Sequence, residues 1–271
     1  MNSNEEEGQI PHYYETAQGK APSWLLLSTE IMRTSIGFGA YFASFPFLQM
    51  TPIGDGHPVL VLPGFLTNDV VTTPLRMFLK SRNYEAKPWD LGNNLAHYDV
   101  LERQLNHMVR DLSAVYGKKV SVIGWSAGGI FARALGHTSK EYVRQVITLG
   151  SPFRGIKDKT NIEGILGWVT GKHPANIDRV ILERASEPPP VPSTAIFTKM
   201  DGIVSWQSCK DKHLDGQTEN VEVVASHLDL GFNPMVLHCI ADRLAQPENN
   251  WKPYVAPAWS QWLTSFPWEM L

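Results

Sequence analysis

Residues 120–135 constrain the fold of this chain more than any other segment. An apolar run, Val120 to Ile123, ends in Gly124-Trp125-Ser126-Ala127-Gly128-Gly129, and a helix-compatible stretch follows at once. A serine on so sharp a strand-to-helix turn, a nucleophile elbow, needs residues without side chains two before and two after it. Gly124 and Gly128 fill both places, and Gly129 adds a third. The following helix points free N–H groups and a partial positive charge at whatever sits on the serine. A Gly-x-Ser-x-Gly string occurs by chance in many chains; the strand before it and the helix after it give this one its weight.

The rest of the chain alternates in the same way. His57 to Gly64 reads as a short buried strand closed by Pro63-Gly64, Pro74–Ser81 as a helix and Tyr84–Lys87 as a second strand. Between His97 and Tyr116, Val100, Leu101, Leu105, Met108, Val109, Leu112 and Val115 recur at helical spacing, and Gly117 stops that helix. Further strands are predicted at Tyr142–Leu149, Ser193–Lys199 and Asn220–Ala225. Such alternation predicts an α/β fold with a mostly parallel sheet flanked by helices. From Phe153 to Pro192 no strand is predicted, which is long for a connection and reads as a small helical cap, either a mobile lid or a helix pair on the sheet's flank. Ile162, Ile165, Leu166 and Val169 form one helical pattern there, and Ile177, Val180 and Ile181 a second. The expected organisation is a flexible lead-in over 1–19, then one domain over 20–271 with the cap at about 153–192.

Composition excludes several classes. With 24 Lys and Arg against 27 Asp and Glu there is no basic stripe, so nucleic acid is not an expected partner. Trp24–Met50 is rich in large apolar residues, but Glu30 and Arg33 interrupt it early and Gly37, Gly39 and Pro46 later, so no transmembrane segment is expected. A helix packed on the domain is the first expectation and a helix lying on lipid the second. The acidic opening, Glu5-Glu6-Glu7, is unlike a secretory signal and suggests a cytoplasmic chain, with a secreted or periplasmic one as the alternative. Cys209 and Cys239 are either two buried thiols or one disulfide.

A serine hydroxyl stays protonated at neutral pH and needs a base, which in turn needs an acid to orient it. In open parallel sheets such groups gather at the carboxyl ends of strands. The strand Ala195–Lys199 runs out at Met200-Asp201-Gly202, and Val221–Val224 runs out at Ala225-Ser226-His227. The order Ser126, Asp201, His227 is the one that accompanies this kind of elbow. Asp215 and Asp229 follow no predicted strand directly, His213 sits in a polar loop, and His238 sits inside a predicted helix. Backbone N–H groups must then stabilise the oxyanion. Ala127, the residue after the serine, is one expected donor, and Phe65, in the turn after Leu62-Pro63-Gly64, the other.

Leu62-Pro63-Gly64-Phe65, the elbow at 124–129, Asp201-Gly202-Ile203-Val204 and Ser226-His227 together resemble the α/β-hydrolase superfamily, and within it a bacterial serine esterase or lipase. The resemblance covers about Gly54 to Leu244. It implies an acyl-enzyme mechanism without metal or organic cofactor: Ser126 attacks an ester carbonyl, His227 takes and returns the proton, Asp201 holds the imidazole, and the Phe65 and Ala127 amides form the oxyanion hole. The chain departs from many lipases in lacking a His-Gly pair before Gly64.

Trp125, Phe153, Trp206 and Leu228 flank these positions and suggest an apolar acyl chain, in a small-molecule or lipid ester, as substrate. Interfacial contact with lipid is compatible with such a substrate; the tryptophans at 251, 259, 262 and 268 are expected first to anchor the tail onto the domain, with an apolar surface for lipid or a partner chain as the alternative. An acyltransferase with the same triad, an amidase, and a non-catalytic binding protein on the same scaffold are the rival functions.

Overall fold

Six parallel strands form one sheet in the order β2-β1-β3-β4-β5-β6: β1 Pro58–Leu62, β2 Glu85–Lys87, β3 Val120–Trp125, β4 Val143–Leu149, β5 Ser193–Phe197 and β6 Thr218–Glu222. The computed structural model describes residues 22–95, 98–154 and 179–258. Helices α1 Trp24–Leu48, α2 Thr73–Ser81, α3 Tyr98–Tyr116, α4 Ala127–Thr138, α5 Arg179–Ser186 and α6 Pro234–Leu244 cover the sheet. Strands β1, β3, β4 and β5 are wholly or largely buried because alternate residues feed two cores. Val59, Val61, Ile123, Ile147 and Ile196 meet α1, α2 and α6 on one face. Leu60, Leu62, Val120, Val122 and Val146 meet α3, α4 and α5 on the other. Each such side chain contributes about 1.5–3 kcal/mol of burial.

Register brings the strand ends together. Leu62 pairs with Gly124, Trp125 with Leu149, and Leu149 with Ile196, so the turns after β1, β3, β4 and β5 open along one edge of the sheet. The chain order reverses between β1 and β3, and such a switch point is where open α/β sheets place their ligands.

The predicted elements recur with small changes. The last strand begins two residues earlier and ends three residues earlier than Asn220–Ala225. Of the cap, the pattern at Ile162–Val169 and Ile177 lie outside the described residues, as does the lead-in; the second predicted helix is α5. Cys209 and Cys239 are buried and free. The apolar segment forms one continuous helix, α1, through Gly37, Gly39 and Pro46. It packs on the domain through Glu30, Gly37, Tyr41 and Leu48, while Trp24, Ile31, Ile36, Phe42 and Phe47 stay exposed. No helix among the described residues is long and apolar enough to cross a membrane.

A polar cluster closes the opposite edge of the sheet. His57 is fully buried just before β1; its Nδ1 meets Asp55 Oδ1 at 2.5 Å, its Nε2 meets Ser121 Oγ at 2.8 Å, and Arg144 Nη1 donates to Asp55 Oδ2 at 2.7 Å. Burial first, and the Arg144 charge second, lower the imidazole pKa to about 4, against the opposing pull of Asp55. The folded value lies below the ordinary 6.5, so the unfolded chain binds more protons between the two. His57 therefore contributes stability that is lost as pH drops from about 6.5 toward 4, and His57→Gln is expected to remove that part of the pH dependence. Denaturant unfolding at pH 7, 5.5 and 4.5 checks it, and an identical slope in the variant would refute it.

Candidate active site

Ser126 stands between β3 and α4 with φ 53° and ψ −122°, a left-handed backbone that a serine adopts only under strain. The glycines around it are sterically required. A Cβ on Gly124 would collide with the Gly128 carbonyl and the Gly129 Cα; one on Gly128 would come to 2.5 Å from the Leu62 carbonyl oxygen; one on Gly129 would run into the Ser151 side chain. These contacts are mostly backbone, which has no rotamer to yield, so strand, helix and β1 can be this close only without side chains there. The Ser126 N–H donates to the Leu149 carbonyl at 2.8 Å, and its hydroxyl makes no capping bond to α4. Ser126 and Ala127 are half-buried, open to a small reactant.

Asp201 and His227 are both buried and joined. His227 Nδ1 meets Asp201 Oδ2 at 2.6 Å. The other carboxylate oxygen accepts from the Ile203 and Val204 N–H groups, each at 2.8 Å, which fixes the carboxylate plane. With Asp201 ionised, the ring proton belongs on Nδ1 and leaves Nε2 as the free base position. Burial opposes a charge on this imidazole, but Asp201, then Glu30 and Asp229, outweigh it and raise the pKa above the ordinary 6.5. Two contacts hold the pair beside the elbow. The Trp125 indole donates to the His227 carbonyl at 3.1 Å. Gly150, which follows the Leu149 that holds Ser126, lies against the His227 ring and the Asp201 carboxylate. The three predicted residues thus share one edge of the sheet; the Asp201–His227 half is closed, while the Ser126 hydroxyl is not hydrogen-bonded to the ring.

The turn after β1 reaches the same place. Gly64 is so near the serine that a Cβ there would touch Ser126 Cβ at 3.4 Å. The Leu66 N–H donates to Asn94 and Asn94 Nδ2 donates to the Pro63 carbonyl, and these bonds brace the turn around Phe65. Ala127 is the first residue of α4, where an N–H has no partner within the helix. Of the four aromatic and aliphatic residues expected around the site, Leu228 is exposed and Trp206 half-buried, stacked on Phe197. Trp125 and Phe153 are buried in the core: the first packs on Gly231 and the second under the Arg133 guanidinium. No three His, Cys, Asp or Glu side chains among the described residues stand together as a metal site would need.

Residues 58–197, just over half of the chain, match the model of the palmitoyl protein thioesterase family. The chain belongs to that family. A curated relative, the pimeloyl-(acyl-carrier protein) methyl ester esterase of Aliivibrio fischeri, is 30% identical over 114 residues. That match covers 38% of this chain and 43% of the esterase, so it spans under half the relative's length. Lipase B of Aspergillus fumigatus superposes with a TM-score of 0.56 at 18% identity, over 71% of this chain and 53% of the lipase. A mature Bacillus licheniformis lipase does so with a TM-score of 0.54 at 13% identity, over 73% of this chain and 95% of the other. At these identities the two lipases speak for the fold alone. Family and fold together place the chain among the α/β-hydrolases.

Proposed function

We propose that this protein hydrolyses esters or thioesters of apolar acyl groups, with Ser126 as nucleophile, His227 as general base and acid, and Asp201 as the residue that orients the imidazole. The observation that carries this reading is the strained Ser126 at the β3–α4 turn, with the 2.6 Å Asp201–His227 pair on the same sheet edge. The hydroxyl loses its proton to His227 Nε2 as Oγ bonds to the acyl carbon. The carbonyl oxygen takes the negative charge, and the Phe65 and Ala127 N–H groups stabilise it; each such donor is worth about 10²–10³ in rate. Collapse of that intermediate expels the alcohol or thiol with the proton from His227. Water then repeats the sequence on the acyl-enzyme and releases the acid.

Turnover of p-nitrophenyl esters from two to sixteen carbons, beside the matching acyl thioesters, tests the reading together with fluorophosphonate labelling. Labelling at Ser126 with turnover of one series supports it. A chain that neither labels nor turns over any member is a binding protein on a hydrolase scaffold. His227 must be neutral to accept a proton, and its pKa is raised. The acid limb of kcat/KM is therefore expected to fall off above the ordinary imidazole value of 6.5. A limb well below that value would show that another group takes the proton.

A further inference from the structure

The turn that bears Asp201 and the turn that bears His227 leave different strands, yet one side chain from α1 bonds to both. Glu30 is buried, and the Leu228 N–H donates to its Oε1 at 3.0 Å. The Gly202 N–H donates to its Oε2 at 3.3 Å. Leu228 follows His227 and Gly202 follows Asp201, so the carboxylate holds the residue after each. Arg33 sits one turn along the same helix. Its Nη2 donates to Glu30 Oε2 at 2.7 Å and its Nη1 donates to the Met200 carbonyl, the residue before Asp201, at 2.6 Å. Thr34 Oγ1 lies 3.0 Å from Ser226 Oγ, just before His227. The fit is close enough that a Cβ on Gly202 would reach 2.5 Å from the Leu26 carbonyl, and one on Gly37 would collide with the Asp229 carboxylate. From Trp24 to Met50 the helix and its end carry only these two charges, and both turn inward onto the site's loops rather than to water.

We propose that Glu30, held by Arg33, is a positioning residue: its one carboxylate ties the Asp201 turn to the His227 turn and sets how the two side chains meet. This rests on the reading of Ser126, Asp201 and His227 as the reacting trio. Glu30 is not placed to touch substrate; it acts through the two loops. It also acts through charge. The groups facing it and the imidazole are Arg33 on α1, Asp201 after β5, and His227 and Asp229 beyond β6; the Cys209 thiol faces Asp201. Burial, and then Asp201, raise the Glu30 carboxyl above its ordinary 4.5, while the Leu228 N–H and Arg33 favour the ionised form. Ionised, it adds to Asp201 in keeping a proton on His227.

The test compares wild type with Glu30→Gln, which is isosteric and uncharged, and Glu30→Asp, which keeps the charge on a shorter stem. Fluorophosphonate titration counts active sites, and kcat per titrated site is then read across pH. Glu30→Gln is expected to lower kcat per site by about tenfold, the scale of a small misplacement, with KM little changed and the acid limb moved to lower pH. Glu30→Asp should leave the limb in place and lose kcat through geometry. A purely structural residue would lower the melting temperature and the titrated fraction only. Wild-type kcat per site with an unmoved limb in Glu30→Gln would overturn the proposal. Failure of Ser126 to label in the wild type would overturn the reading beneath it, and a defect confined to Glu30 variants cannot mimic that result.

Discussion

Ser126→Ala is expected to lower kcat/KM by about 10⁴-fold or more while leaving the fold and its melting temperature almost unchanged. The size follows from the role: without the nucleophile no acyl-enzyme forms, and what remains is binding and oxyanion stabilisation. The neutrality toward folding follows from the structure, where the hydroxyl caps nothing and the backbone is held by the Leu149 carbonyl and the three glycines. Ser126→Gly separates strain from chemistry. It is expected to be equally inactive, yet about 1 kcal/mol more stable than Ser126→Ala, because glycine carries a φ of 53° without steric cost. Steady-state rates and thermal melts of the two variants check both halves. Ser126→Ala with substantial turnover would move the chemistry to another residue; equal melting of the two would mean that the elbow stores no strain.

The elbow was legible because it is local: the glycines that admit the serine lie within three residues of it, and strand and helix flank it directly. Asp201 and His227 were legible for a related reason, since parallel strands deliver their following residues to one edge. Their tether was not. Glu30 and Arg33 read as charges interrupting an apolar stretch, and nothing local in the sequence says that Glu30 meets backbone 172 and 198 residues away and Arg33 backbone 167 residues away. The sequence carries a weaker signal, two opposite charges one turn apart on an otherwise uncharged helix. β6 begins at Thr218, ahead of the predicted Asn220, because the strand includes the acidic Glu219. Buried, it accepts from Thr194 Oγ1, Arg243 Nη1 and the Tyr254 N–H, so a charged residue sits inside the strand. Trp125 lies within the elbow motif and Phe153 just beyond β4, but position along the chain does not give the direction of a side chain. Trp125 ends a strand buried at every position, and Phe153 turns under Arg133.

Arg133→Met is expected to cost about 3–5 kcal/mol of stability, the usual result of stripping one member from a buried ion pair. Arg133 points from α4, the helix behind the elbow, into the core and is fully buried. Its two terminal nitrogens donate to the Asp211 carboxylate at 3.0 and 2.6 Å, and it also donates to the Ala185 and Glu187 carbonyls. One side chain thereby fastens the elbow helix to the end of α5 and to the loop before β6. Methionine fills much of the space but leaves the Asp211 carboxylate in the core without a cation. A buried charge stripped of its partner is costly to keep in the core. Arg133→Met with Asp211→Leu should regain most of the loss, since removing both charges removes the unpaired one. Denaturant unfolding of the single and double variants measures this directly. A double variant no more stable than the single one would mean that the arginine acts through the Ala185 and Glu187 carbonyls rather than through Asp211.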